Sequence, residues 1–169
     1  MSDTRIDPIE MHRQNWPETF DFRLMAFLLS MHQVRADQFA HTDGVMASHH
    51  LSLAEFDVLT TLRRSSPPHE LTPTELQGAM LITSGGLTKI LRQLETRKLI
   101  IRSTVEADRR IKPVRLTAKG AKLIEQAMVE LMEASRAWIK PLLTGKEIDQ
   151  LTALLKKISD SPSAKGASA

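Results

Sequence analysis

The basic side chains of this sequence are concentrated in one stretch, where their chemistry suits a phosphate-bearing partner. Residues 83–117 contain nine Lys or Arg and three Asp or Glu, a balance of +6. The whole chain carries +3, so the other 134 residues carry −3. A basic segment in an otherwise acidic chain is typical of nucleic-acid binding. The charge pattern taken alone also fits a solvent-exposed helix face beside a charged hairpin.

A predicted helix from Ser84 to about Arg97 places several of these cations on one face. Leu87, Leu91 and Leu94 recur at helical spacing and indicate the buried side. A rotation of about 100° per residue then turns a polar and basic set of residues outward. We predict that this outward face contacts DNA. The outward residues are Gly85, Thr88, Lys89, Arg92 and Thr96.

Gly85 and Gly86 stand at the start of this predicted helix. Two glycines weaken a first helical turn by roughly 1 kcal/mol each relative to alanine. Such a turn lets the backbone approach a phosphate closely at the helix N-terminus, where free amides and the helix dipole favour an anion. The alternative is one turn glycine and one tolerated helix glycine. The neighbouring cations favour the phosphate interpretation.

The apolar spacing changes from helical to alternating after Leu99, which predicts two strands, at about 100–104 and 114–116, joined by a polar tip. The tip includes Asp108, which we expect to brace an arginine or the turn backbone, and three cations. Such a tip fits a minor groove, where narrow A·T tracts strengthen the negative potential. A surface hairpin without a ligand is the alternative. The predicted DNA-binding residues are Ser84, Gly85, Thr88, Lys89, Arg92, Arg109, Arg110 and Lys112.

Helix start signals divide the rest of the chain. Capping boxes are predicted at Asp7 with Glu10, Ser52 with Glu55, Thr72 with Glu75 and Thr144 with Glu147. Residues 40–51 interrupt the helical pattern and predict a loop, and residues 159–169 predict a disordered tail. The predicted helices cover about residues 7–16, 17–39, 52–64, 72–80, 84–97, 117–140 and 144–158.

Two short helices followed by a β-hairpin predict a winged helix–turn–helix. The expected fold is mainly α with a small β-hairpin, flanked by long N- and C-terminal dimerisation helices. Three apolar seams, at 20–39, 124–142 and 148–158, exceed what a small lobe can cover, so each is predicted to meet a partner subunit. The predicted division is 1–51 for dimerisation and possible effector contact, 52–117 for DNA binding, 118–158 for dimerisation and 159–169 for the tail.

Several classes of protein are excluded by what the sequence lacks. The absence of cysteine excludes disulfides, zinc fingers, iron–sulfur clusters and thiol chemistry. No P-loop, nucleophile elbow or plausible acid pair is present, which predicts that the protein is not an enzyme and needs no cofactor. No signal peptide and no apolar run of about 18 residues is visible, so we expect a soluble cytoplasmic protein without membrane contact.

Two other functions stay open at this stage. His32, His41, His49 and His50 suggest a metal-responsive regulator, although their spacing fits no helix-based zinc site and a solvated loop explains them more simply. A winged-helix adaptor could use the basic face on an acidic protein instead of DNA. Such an adaptor would show weak salt dependence toward DNA and no preference for a palindrome.

Five stretches together resemble the MarR family of transcriptional regulators, over about residues 20–158. They are Phe-Asp-Val-Leu at 56–59, Leu-Thr-Pro-Thr-Glu-Leu at 71–76, Thr-Ser-Gly-Gly-Leu-Thr at 83–88, Asp-Arg-Arg at 108–110 and Val-Arg-Leu-Thr-Ala-Lys-Gly at 114–120. The resemblance implies a homodimer with intertwined first and last helices, bound to pseudo-palindromic double-stranded DNA. It also implies a repressor, released by a small anionic or phenolic effector.

The chain is most similar to the urate-responsive branch of that family. The resemblance implies effector contacts at Trp16, Asp57 and Arg102, while Ile90 stands where the branch has arginine. A planar anion in a partly buried pocket needs a paired charge, so the change at Ile90 predicts a related aromatic or anionic effector with altered chemistry. The alternative is a structural ion pair between Asp57 and Arg102.

Overall fold

A computed structural model of the chain describes residues 7–17, 21–80, 86–102 and 113–161. The backbone divides into two compact units, residues 1–41 and 42–169. Within the described ranges, no helix is both long and apolar enough to cross a membrane. The elements are α1 (Pro8–Asn15), α2 (Phe22–Ser48), α3 (Leu53–Arg64), β1 (Glu70–Leu71), α4 (Pro73–Ala79), α5 (Leu87–Thr96), β2 (Ile100–Arg102), β3 (Val114–Leu116), α6 (Ala118–Ile139) and α7 (Gly145–Ser159).

The predicted capping boxes at α3, α4 and α7 are confirmed. At α4, the Thr72 hydroxyl accepts from the amide of Glu75, and the Glu75 carboxylate accepts from the amide of Thr72 at 2.8 Å. The backbone hydrogen bond from Thr72, followed by the side-chain hydrogen bond, lowers the pKa of Glu75. At α1, Asp7 caps the helix as predicted, whereas Glu10 accepts from Gln14 at 2.9 Å instead of reaching back.

The predicted loop at residues 40–51 is wrong, because α2 continues to Ser48. Its last turns bury Thr42 and Met46 at four-residue spacing. The helix then ends in a Schellman motif: the amide of Leu51 donates to the carbonyl of Met46 at 2.9 Å, with His50 in the left-handed region at φ 53°. The helix was predicted to end too early because residues 41–44, directly before Val45 and Met46, are polar or glycine and interrupt the apolar spacing.

The start of α2 also differs from the prediction. The helix begins at Phe22 instead of Pro17. Asp21 Oδ1 accepts from the amides of Arg23 and Leu24 at 2.9 and 3.0 Å, which is the bonding pattern of an N-cap.

The three strands form an antiparallel sheet in the order β1-β3-β2. Val114 lies opposite Leu71 on one side and Arg102 on the other. The hairpin of β2 and β3 was predicted, while β1 was not. A strand of two residues is too short to show the alternation of apolar and polar side chains by which strands are recognised in a sequence. The sheet and five helices, with α2 contributing Met46 near its end, enclose one apolar core. Its fully buried side chains include Leu59 and Leu62 of α3, Leu76 of α4, Leu91 and Leu94 of α5, Val114 of β3 and Ile124 of α6.

A histidine–carboxylate pair joins the end of α2 to α6. His49 Nε2 lies 2.9 Å from Glu130 Oε2, and the His49 side chain is only 10% exposed. This hydrogen bond, assisted by one from Gln126, lowers the pKa of Glu130. The pair fixes α6 against the residues that close the Schellman motif.

Candidate nucleic-acid interface

The described part of α5 presents the predicted polar face. Leu91 and Leu94 are buried, and Leu87 and Ile90 pack against the core from partly buried positions. Four residues of the opposite face, which we call the exposed face of α5, are solvent-exposed as predicted. They are Thr88, Lys89, Arg92 and Thr96.

The start of α5 corrects the sequence interpretation of the glycine pair. The helix begins at Leu87, and Gly86 is its N-cap at φ −136° and ψ 22°. Gly86 therefore precedes the first turn and does not weaken it. Ser84 and Gly85 lie outside the described residues, so their predicted contact with DNA stays a prediction.

The cations of α5 and of the segment that follows it fall into two groups. Arg97 Nη1 lies 3.1 Å from Glu55 Oε1, and Arg102 Nε lies 3.4 Å from Glu95 Oε2. Among the described side chains, no carboxylate pairs with Lys89 or Arg92. The paired arginines help to hold the fold together. Lys89 and Arg92 on the exposed face, like Lys98 in the turn after α5, have no such partner among the described residues and leave their charge available to a polyanion.

Gln93 is an additional polar residue beside the exposed face. It lines a shallow groove of about 380 Å³ together with Arg92 and Thr96, and the Glu55–Arg97 pair closes the other wall. Gln93 is not among the predicted contacts, because helical rotation places it beyond the edge of the predicted face. Gln93 could have been included among the predicted contacts because it lies next to Arg92 and Thr96, which belong to the predicted face.

The end of α5 turns the chain sharply into β2. The amide of Lys98 donates to the carbonyl of Glu95 at 2.9 Å, and the amide of Leu99 donates to the carbonyl of Leu94 at 3.0 Å. Lys98 has a φ of 58°, so a lysine occupies the left-handed position that glycine usually takes in a Schellman motif. This turn fixes the direction of β2 and β3, which we call the wing strands, relative to α5.

The Leu-Thr-x-x-Gly sequence at 116–120 joins the sheet to α6. The Thr117 hydroxyl caps α6 by accepting from the amide of Gly120 at 3.0 Å, and it donates toward the carbonyls of Lys98 and Leu99. Gly120 lies so close to the carbonyl oxygen of Leu99 that a Cβ would overlap with it. The motif therefore brings the first turn of α6 directly against the turn that ends α5.

The predicted effector residues have separate surroundings. Asp57 is 4% exposed, and its Oδ1 lies 3.7 Å from Nη2 of Arg64, which also donates to the carbonyl of Ala79 in α4. Arg102 pairs with Glu95, so the suggested ion pair between Asp57 and Arg102 is not the one formed. Trp16 belongs to the unit 1–41, where it is 55% exposed and stacks on His12.

The remaining predicted contacts lie outside the described residues. These are Arg109, Arg110 and Lys112, with Asp108 beside them. Arg115 of β3, which belongs to the same basic stretch, is described and exposed.

The histidines do not form a metal centre in the part of the chain that the structure describes. No three His, Asp or Glu side chains converge there as metal ligands. His41 lies on the exposed surface of α2, and His49 is bonded to Glu130.

The three-stranded sheet, the α3–α4–α5 arrangement and the unpaired cations of α5 define a winged helix–turn–helix DNA-binding protein. The sequence profile of the MarR family matches residues 51–112. The HTH-type transcriptional regulator PecS of Dickeya dadantii is 34% identical over 116 residues, which cover 69% of this chain and 69% of PecS. The chain therefore belongs to the MarR family, and it is a DNA-binding transcriptional regulator, not an enzyme.

Solved structures agree with this fold. Sco3205, a MarR family transcriptional regulator from Streptomyces coelicolor in complex with DNA, matches with a TM-score of 0.74 at 19% identity, over 86% of this chain and 91% of its own. BpsR of Bordetella bronchiseptica, whose DNA binding is regulated by 6-hydroxynicotinic acid, matches with a TM-score of 0.66 at 26% identity, over 78% of this chain and 91% of its own.

Proposed function

We propose that the protein is a dimeric repressor that binds a pseudo-palindromic operator through two copies of α5 and leaves it when a small aromatic or anionic effector binds. The observation that carries the DNA part is the exposed face of α5, where Lys89 and Arg92 have no acidic partner among the described side chains. A helix of this kind fits the major groove, where arginine and lysine read guanine. Since the ligand is DNA, we also propose a cytoplasmic location.

The apolar face of α7 supports the homodimer. None of the 15 residues of α7 is buried within the chain, although five apolar side chains fall within a sector of about 120° on one face. An isolated helix of about this length is only marginally stable in water, so the face requires a cover. In a twofold dimer, a second copy of the chain would cover this face, and symmetry would bury the same face of both copies. The five residues are Ile148, Leu151, Leu154, Leu155 and Ile158.

The apolar row of α2 supports the same assembly independently. Leu24, Leu28 and Met31 are between 40% and 53% exposed, and Phe27 and Val34 continue the row. These residues lie in the predicted dimerisation region 1–51, and α7 and the far end of α6 lie in the predicted region 118–158, so we assign both regions to the proposed dimer interface.

The rest of the proposed DNA contact comes from residues that the structure does not describe. Ser84 and Gly85 precede α5, where amides at a helix N-terminus favour a phosphate. Arg109, Arg110 and Lys112 lie between the two wing strands, and we assign them to the minor groove.

Replacing Arg92 with alanine tests the DNA face. We expect binding to a duplex selected by the wild-type protein from a random pool to weaken by roughly 1–3 kcal/mol, with relaxed preference at one position if Arg92 reads a base. The salt dependence of binding, followed by fluorescence anisotropy, should become shallower by about 0.9 per protomer, and so by about 1.8 for the dimer, if Arg92 meets a phosphate.

Lys156→Ala is the matched control, because Lys156 is an exposed cation on α7. Wild-type-like binding by Arg92→Ala would contradict the proposed face. Weak duplex binding with little salt dependence in the wild-type protein would favour the acidic-protein adaptor instead.

We propose Trp16, Asp57 and Arg102 as effector contacts, supported by the resemblance to the urate-responsive branch and by the regulation of BpsR by 6-hydroxynicotinic acid. Urate, xanthine, salicylate and 6-hydroxynicotinate form the test panel. We expect at least one of them to raise the thermal unfolding midpoint, and Arg102→Ala to abolish that shift because a buried anion needs its cation. No shift with any anion at millimolar concentration would contradict an effector of this class. If Arg102→Ala retains the shift, the effector binds at a site that does not require Arg102.

A further inference from the structure

A carboxylate beside the exposed face of α5 is held by an arginine of the neighbouring wing strand. Glu95 is the only acidic residue among the ten that form α5. Its Oε2 lies 3.4 Å from Nε of Arg102, at the end of β2, and its side chain is 44% exposed. Helical rotation places Glu95 about 60° from Arg92, at the edge of the exposed face.

Glu95 has a second possible partner on its own helix. Residues three apart on a helix surface are neighbours, and opposite charges at this spacing attract each other. A pair between Glu95 and Arg92 would neutralise one of the two cations that the exposed face offers to DNA. In the structure Arg102 pairs with the carboxylate, and no described acid pairs with Arg92.

We propose that Arg102 is a positioning residue for DNA binding, which neutralises Glu95 and keeps it away from Arg92. The inference rests on the proposed DNA face and goes beyond it, because Arg102 then promotes binding without touching the duplex. The opposite edge of the face has the same arrangement, since Arg97 neutralises Glu55 at 3.1 Å. One pair on the wing side and one on the core side thus neutralise two of the described carboxylates beside a helix that must approach phosphates.

The pair acts through charge and not through a directed hydrogen bond. Arg102 Nε is buried and makes no hydrogen bond to any described residue, although the carboxylate lies nearby. Removal of the guanidinium would leave an uncompensated carboxylate within the screening distance of a bound phosphate, which is about 10 Å at 0.1 M salt. That carboxylate would repel the duplex and would be free to pair with Arg92.

A double-mutant cycle on Arg102→Ala and Glu95→Gln tests the proposal, with the wild-type-selected duplex, low salt and no effector. We expect Arg102→Ala to weaken binding about fivefold to tenfold. Glu95→Gln alone should bind within about twofold of the wild-type protein, and the double variant should return to that level. Arg102→Lys, which keeps the charge, should retain most of the affinity, and all variants should have similar thermal unfolding midpoints.

Three results would overturn the proposal. A loss that persists in the double variant, with a salt dependence shallower by about 0.9 per protomer, would make Arg102 a phosphate contact. Unchanged binding by Arg102→Ala would show that Glu95 does not disturb the face. A changed sequence preference in Glu95→Gln alone would make Glu95 a base-reading residue. A wild-type protein that binds no duplex would instead overturn the proposed function itself.

Discussion

Leu155→Asp is expected to convert the protein from a dimer to a monomer and to weaken operator binding by two orders of magnitude or more. Leu155 lies within the apolar face of α7 and is 40% exposed in the single chain. The substitution removes about 2 kcal/mol of apolar burial and adds a desolvated carboxylate, and symmetry introduces both effects twice. A combined effect of about 5 kcal/mol or more weakens dimerisation over a thousandfold. Each monomer then binds one half-site and loses the gain from bivalency.

Sedimentation velocity and anisotropy titrations measure the two effects separately. Gln150→Asp is the matched control, because it adds the same charge to the exposed, polar side of α7. We expect the control to remain dimeric and to bind DNA as the wild-type protein does. A dimeric Leu155→Asp with unchanged DNA affinity would show that α7 does not form the interface.

Much of the DNA-binding lobe could be predicted because its signals are local. The three confirmed capping boxes need only residues three positions apart, and each satisfies two free backbone amides at the start of a helix. The exposed face of α5 follows from rotation about one helix axis, once Leu91 and Leu94 are recognised as buried.

The errors occurred where distant residues decide the structure. Met46 and Leu51 are buried in the core, and their packing extends α2 through a polar segment that reads as a loop. Gly44 does not prevent this, because it has open space around it and a helix tolerates one glycine at a modest cost. Strand β1 exists because Leu71 pairs with Val114, which lies 43 positions further along the chain.

The ion-pair partners of the charged residues could not be predicted from the sequence either. An ion pair between Asp57 and Arg102 was the alternative to an effector pocket at these residues, but the fold places Asp57 beside Arg64 and Arg102 beside Glu95. Pairing between side chains depends on how α3, α5 and the sheet pack, which periodicity does not report. Resemblance to a family indicates which residues occupy corresponding positions, but it does not show which side chains contact each other in this chain.

Gly120→Ala is expected to destabilise the lobe by about 3 kcal/mol, the upper part of the range for overpacking. The added methyl group meets the carbonyl of Leu99, which is backbone and cannot rotate away, and then the side chain of Leu116. The first turn of α6 must therefore move away from the turn that carries Lys98 and Leu99. For a chain of this size the thermal unfolding midpoint should fall by about 10 °C.

Gly44→Ala is the matched control, since it adds the same methyl group at a helical glycine with nothing within 4 Å of the new Cβ. That variant should gain about 0.5–1 kcal/mol from helix propensity, so the two glycines should respond with opposite signs. Differential scanning calorimetry under identical conditions measures both. If Gly120→Ala unfolds within about 2 °C of the wild-type protein, the close approach of α6 to Leu99 does not constrain the lobe. If it falls as expected, the Leu-Thr-x-x-Gly sequence is explained by packing, because only glycine lets α6 begin where Thr117 can bond to both its own helix and the end of α5.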